Sequence, residues 1–322
     1  MSEPAAESRL KYFPVSFFAM VMGLAGVAIA WHRAEIVFAM PLRMSEAVLV
    51  LAGLSFVALL LLYLNKILRH RGAVAQELAH PIQINFFPTV SISLLLLAVA
   101  SIPYSLGLAG VLWVLGTNLH LLLTLYVMGV WTHHEQFEIH HINPAWFIPV
   151  VGNVLVPIAG VPLGFAEVSW FFFSFGMLFW LVLLAIVFYR VFFHNPLPEK
   201  LMPTFFILIA PPAVGFLAYQ SLTGDLDAFA RVLYYSGLFL TLLLLTQVGR
   251  FARIEFYLSW WAYSFPLAAI TIATLAMYQQ TGLIAFAIIG WVLLTLVTLI
   301  VVYLLYRTAR AIGSRRICIP AV

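Results

Sequence analysis

Charge is what this sequence has least of. Of 322 residues only 9% are Asp, Glu, Lys or Arg and 64% are hydrophobic, whereas a soluble domain carries about 25% charged and 45–50% apolar residues. So few charges cannot cover a water-facing surface, which excludes a soluble globular fold. A single cysteine, Cys318, rules out a disulfide framework within the chain. Acids are scarcer than bases, 12 against 16, and all twelve lie in tails, in loops or at the ends of apolar runs. No Asp, Glu, Lys or Arg falls in the middle of a run. Charges held at mid-membrane are costly and mark ion pathways, so their absence argues against a cation pore or a carboxylate proton relay. The net charge of +4 is equalled by the four C-terminal arginines Arg307, Arg310, Arg315 and Arg316, so the basic balance implies no nucleic-acid partner. Phosphate-loop, nucleophile and cofactor motifs are missing as well, so neither an enzyme nor a cofactor is expected.

What the chain has is long apolar runs, continuous rather than alternating, which predict membrane-spanning helices in a lipid bilayer rather than the strands of an outer-membrane barrel. Ten spans are expected, approximately at 14–31, 46–65, 88–106, 110–131, 144–163, 167–189, 201–222, 228–247, 258–279 and 283–306. The first follows Arg9 and Lys11 like a signal peptide, but its apolar run exceeds the usual 7–15 residues and it is read as a helix. Residues 1–12 form an N-terminal tail, 13–307 one transmembrane domain and 308–322 a C-terminal tail. Thirteen of the 16 Lys and Arg residues fall on the side of the two termini, leaving Arg33, Arg43 and Arg231 on the far side. Positive residues accumulate in the cytoplasm, so both termini are expected there, in the inner membrane of a bacterium.

Proline marks a repeat. Phe13-Pro14-Val15, Phe87-Pro88-Thr89, Asn143-Pro144-Ala145 and Met202-Pro203-Thr204 open the first, third, fifth and seventh spans. Each unit of two spans is a helical hairpin that returns the chain to its starting side. Five hairpins then share one orientation and are expected to close in a quasi-fivefold ring around a central pore. Prolines inside or near the ends of spans fall only in odd ones, among them Pro149, Pro157, Pro211, Pro212 and Pro266. Proline frees a backbone carbonyl that lipid tolerates poorly, which places kinked odd helices inside and straight even helices outside. A neutral pore with a basic mouth suits small anions.

Two stretches carry a family resemblance. The segment Arg253-Ile254-Glu255-Phe256-Tyr257-Leu258-Ser259-Trp260-Trp261-Ala262-Tyr263-Ser264-Phe265-Pro266 and the pair Leu197-Pro198-Glu199-Lys200-Leu201-Met202-Pro203 and Ala210-Pro211-Pro212-Ala213-Val214 resemble the TehA-type tellurite-resistance and C4-dicarboxylate transporter family, which includes the slow-type anion channels of plant guard cells. Weaker likeness at Asn85-Phe86-Phe87 and at Ile148-Pro149-Val150-Val151-Gly152-Asn153 extends the resemblance over about 13–307. It implies ten helices in five hairpins, inner helices kinked by proline, a homotrimer with one pore per subunit, and a phenylalanine closing the pore. Phe265 matches that gate, Pro266 is the adjacent kink, and Ala19 is the counterpart of the small residue beside the ring. Proline also disfavours helical geometry at the residue before it, so the backbone at Phe265 is expected to bend.

Other polar residues fit the pattern less directly. Gly152 and Asn153, on an odd span, are candidates for the pore wall. His120 lies in an even span, where a hydrogen bond between helices is the expected role. The histidine-rich loop at 133–141 lacks the spacing of a zinc helix, so no metal is expected. An anion channel or passive permease is therefore predicted, the alternative being a proton-coupled carrier of dicarboxylates or oxyanions such as tellurite or sulfite.

Overall fold

The computed structural model describes residues 9–133 and 137–319. His134, Glu135 and Gln136 of the histidine loop lie outside the described residues, as do the first eight and last three. Among the described residues every regular element is helical. Nine helices among the described residues are long and apolar enough to cross a membrane: α1 (Val15–Val37), α2 (Met44–Arg69), α3 (Gln83–Ser101), α4 (Leu106–His133), α6 (Ala166–Phe193), α7 (Glu199–Thr223), α8 (Ala228–Leu245), α9 (Leu258–Thr281) and α10 (Ile284–Gly313). Pro144–Gly160, called α5, is apolar but shorter. The chain is an integral membrane protein.

Burial alternates along the chain. The most apolar windows of α1, α3, α7 and α9 are 67–94% enclosed by protein, and those of α2, α4, α6, α8 and α10 only 22–39%. Odd elements are thus wrapped by even ones, which turn exposed Leu, Val and Phe outward. In lipid such a surface costs nothing, because the hydrocarbon is as apolar as the side chains.

The odd elements are also irregular. α1, α3, α7 and α9 each begin with 3-10 geometry, at Val15–Phe17, Gln83–Phe86, Glu199–Ile209 and Leu258–Tyr263. α5 alternates between 3-10 and α turns throughout. Pro203 lies inside the 3-10 stretch of α7, and Pro211 falls in the first turn of the α-helical part that follows. Pro157 and Pro149 are likewise in the first turns of their short helices. Proline is tolerated in a first turn because its missing N–H would be unpaired there anyway. Irregular backbone at membrane depth needs partners from the protein. Around α5 the outer helix α4 provides them: Trp113 Nε1 donates to the Val156 carbonyl at 2.9 Å and Thr124 Oγ1 to the Pro149 carbonyl at 2.6 Å.

Glycine permits the closest contacts. A Cβ on Gly23 of α1 would stand 2.2 Å from Ser264 Oγ of α9, and one on Gly26 would stand 3.1 Å from Phe265 Cδ2. α1 and α9 therefore meet with the Phe265 ring against the Gly26 backbone. A short helix absent from the ten-span expectation, Arg71–Ala79, follows α2 and buries Glu77. The last helix continues to Gly313, so the first part of the expected C-terminal tail is helical.

Candidate functional site

Two cavities lie between the odd elements, of about 280 and 410 Å³. Every residue lining either one comes from α1, α3, α5, α7 or α9 or from the turns at their ends, and none from an even helix. The first, called near, is lined by the N-terminal parts of these elements, including Ser16, Thr89, Ile148, Lys200 and Leu258. The second, called far, is lined by their C-terminal parts, including Arg33, Ile102, Ile158, Gln220 and Gln280. The five elements therefore run side by side in one direction with a cavity at each end. Three residues line both: Leu155, Val214 and Phe265. They form an apolar layer between the two spaces, and the Phe265 side chain, only 8% exposed, is the largest of the three.

Several expected residues converge here. Phe265, Pro266, Ala19, Gly152 and Pro211 all line the near cavity. Asn153 lines neither cavity and is fully buried. Its amide donates to Thr124 Oγ1 at 2.9 Å and to the Val150 carbonyl at 2.8 Å, so the side chain turns toward α4. Pro149, Pro157 and Pro212 are buried outside both linings. Pro266 sits in the first turn of an α-helix that begins at Ser264, just after the 3-10 stretch Leu258–Tyr263. The backbone thus changes helix type just before Phe265.

The tryptophan-rich stretch before Phe265 anchors the element. Trp261 Nε1 donates to Thr308 Oγ1 of α10 at 3.0 Å, and Ser264 Oγ to the Trp261 carbonyl at 2.6 Å. The Arg307 guanidinium lies 5.1 Å from the Phe256 ring and 5.6 Å from that of Trp260, a cation–π arrangement that ties α9 to α10. His120 is fully buried, with Nδ1 2.8 Å from Ser91 Oγ of α3 and Nε2 without a partner. A Cβ on Gly152 would lie 2.7 Å from that Nε2, so the ring stands directly behind the near-cavity wall.

The charged residues lining the cavities are Lys200 at the near end and Arg33 at the far end; no carboxylate lines either, among the described residues. Lys200 also acts on His80, whose Nδ1 accepts from the backbone N–H groups of Ile82 and Gln83 at 3.1 and 3.3 Å. Desolvation among crowded protein atoms, then Lys200 and His141, hold the His80 imidazole below its ordinary value. Its native pKa is therefore below the unfolded one, so its contribution to stability is full above about pH 6.5 and is lost as pH falls through the native value. The melting temperature of detergent-solubilised protein is expected to fall on acidification below that point. It falls less steeply in His80→Asn, which keeps an acceptor but takes up no proton; His141, depressed mainly by desolvation, leaves a residual slope. Identical profiles for the two proteins would remove His80 from this account.

The fold and cavities define a class: a helical membrane protein with an apolar layer separating two cavities, each lined by one Lys or Arg side chain and, among the described residues, by no carboxylate. The chain belongs to the voltage-dependent anion channel family, whose pattern matches residues 12–309. It is 34% identical over 305 residues to the S-type anion channel SLAH3 of Arabidopsis thaliana, covering 92% of this chain and 48% of that protein. The S-type anion channel SLAH2 of the same plant is 31% identical over 91% of this chain and 58% of its own length. This chain thus spans about half the length of these plant relatives. A tellurite resistance protein TehA homolog from Haemophilus influenzae is 25% identical over 87% of this chain and 85% of its own. The family resemblance expected from the ninth- and seventh-span residues is thereby established, and the named relatives are anion channels and a tellurite resistance protein rather than enzymes.

Proposed function

We propose that this chain is an anion channel in which Phe265 gates a neutral pore. Five hairpins form a quasi-fivefold ring of ten spans, with α5 as the fifth, and the odd elements are its inner wall. The observation that carries this reading is the layer of Leu155, Val214 and Phe265 shared by both cavities. An apolar constriction of this kind blocks ions by excluding water, without a buried charge. Ala19, Gly152 and Pro211 then form the wall just below the gate, and Pro266 fixes the backbone that carries the ring.

Lys200 and Arg33, unopposed by acids at the cavity linings, favour small anions as the permeant species. The excess of Lys and Arg at the near end supports cytoplasmic termini and an inner-membrane location in a bacterium. A homotrimer with one pore per subunit follows from the family resemblance.

Reversal potentials in reconstituted bilayers test the reading. Under asymmetric sodium chloride the current is expected to reverse at a voltage set by the chloride gradient and to ignore an imposed pH gradient. A reversal potential that also moves with pH would overturn the channel and favour proton-coupled carriage, for which His120, behind the wall at Gly152, and His32, on the far-cavity lining, are titratable candidates.

A further inference from the structure

A further cavity, of about 360 Å³, lies in the turn between α8 and α9, lined by Thr246, Gln247, Gly249, Arg250 and Arg253. None of these residues lines the near or far cavity. Both arginines are exposed, and among the described residues no carboxylate lines the space and neither arginine makes an ion pair. They are three positions apart on one tight turn, with the Arg253 N–H donating to the Arg250 carbonyl at 3.3 Å. Like charges at that spacing repel each other. The turn is held in place: Phe251, between them, is buried, with its ring 5.2 Å from that of Phe206 on α7 and 6.1 Å from that of Tyr263 on α9. Two positive groups fixed on one cavity with no acid to pair them match an anion with several acceptor oxygens.

The cavity begins where a lipid-facing strip ends. Phe239, Leu242 and Leu243 expose their side chains along the last turns of α8, and Val248 is exposed beside the arginines. Thr246 Oγ1 donates to the Leu243 carbonyl at 2.7 Å, so the first lining residue stands directly on that strip. A free phosphate would use only the arginines, whereas a molecule with an anionic head and a hydrocarbon tail meets both surfaces.

We propose that this cavity is a binding site for the headgroup of an anionic glycerophospholipid, whose phosphodiester is held by Arg250 and Arg253 and whose acyl chains lie along the exposed face of α8. A guanidinium pairs with two phosphate oxygens at once. Its charge also favours the leaflet of negative surface potential, which is the leaflet the near end faces when the excess of Lys and Arg is cytoplasmic. The site is separate from the permeation path and does not depend on the channel reading.

Purified, delipidated full-length protein in a neutral detergent tests the proposal. Its melting temperature is followed as phosphatidylglycerol, or phosphatidylcholine as the zwitterionic reference, is added in mixed micelles at constant ionic strength. Wild type is expected to gain stability saturably with phosphatidylglycerol and much less with phosphatidylcholine. In Arg250→Gln/Arg253→Gln the half-saturating phosphatidylglycerol fraction is expected to rise about tenfold or more, the scale for losing two basic groups at an anionic headgroup. Arg250→Lys, which keeps the charge and loses the fork, falls between. Arg69→Gln/Arg71→Gln, which removes the same charge from exposed positions elsewhere at the near end, is expected to leave the titration unchanged. An equal loss in that control would reduce the effect to diffuse surface charge and overturn the site, as would identical titrations for wild type and Arg250→Gln/Arg253→Gln. Inorganic phosphate that reproduces the full phosphatidylglycerol effect would overturn the lipid as the ligand. If the double variant does not fold, Arg250→Lys and Arg253→Gln decide the matter by the same criterion.

Discussion

Phe265→Ala, reconstituted into planar bilayers, is expected to carry anion current at least about tenfold above wild type, the scale expected when a barrier of roughly 1.4 kcal/mol or more is removed. The ring lines both cavities, so its removal opens the layer and leaves the smaller Leu155 and Val214 around the passage. An apolar constriction that widens admits water, and ions follow. Phe265→Leu keeps much of the bulk and should conduct between the two. The cost in stability is expected to fall below the about 3–5 kcal/mol of a phenylalanine truncated in a closed core. One face of the ring packs on the Gly26 backbone, but cavities already lie on its near and far sides. Unchanged current together with a full core-sized loss of stability would make Phe265 a packing residue and sink the gate.

The second large effect lies at the near end, where Glu77 and Lys66 are 5% and 3% exposed and their charged atoms are 2.6 Å apart. Lys66 Nζ also donates to the Phe13 carbonyl at 2.8 Å, while Glu77 accepts from the Val15 backbone N–H at 2.7 Å and from the Tyr63 hydroxyl at 3.0 Å. These bonds join α2, the Arg71–Ala79 helix and the start of α1, which carries Ala19 on the near cavity. Lys66→Met leaves a buried carboxylate without its cation and is expected to cost about 3–5 kcal/mol, read as a fall in melting temperature and in monodisperse yield. Adding Glu77→Gln should recover part of that loss, because the double variant buries no charge. A double variant no better than Lys66→Met alone would show that the backbone bonds at Phe13 and Val15, rather than the charges, hold this corner.

Neither partner of that pair was legible as buried from the sequence. Lys66 and Glu77 stand in a polar stretch between apolar runs, where solvation is the default expectation, and the helix that carries Glu77 gives no periodic apolar signal. The fifth hairpin element shows the opposite case. Pro144, Pro149 and Pro157 announce irregular backbone, yet the sequence does not say that Trp113 and Thr124 of α4 donate to carbonyls of this element, and the same network turns Asn153 toward α4. The inner elements are apolar on every side, so their period does not identify which face meets the cavity. Gly152 and Asn153, adjacent in sequence, consequently meet different surroundings, the first lining the near cavity and the second bonding to Thr124 of α4. Arg33 and Gln220 were likewise visible only as isolated polar residues 187 positions apart.

The sequence by itself determined that this protein lives in lipid, which of its apolar runs carry irregular backbone, and the family to which it belongs. Each of these depends on composition or on local backbone chemistry, where a missing charge or a proline acts within a few residues. Tertiary structure alone decided that Leu155, Val214 and Phe265 meet in one layer, that Arg33 and Gln220 line one cavity, and that a buried ion pair fastens the start of α1. Those are contacts between segments distant in the chain, and apolar packing in a membrane leaves no periodic mark from which their pairing can be read.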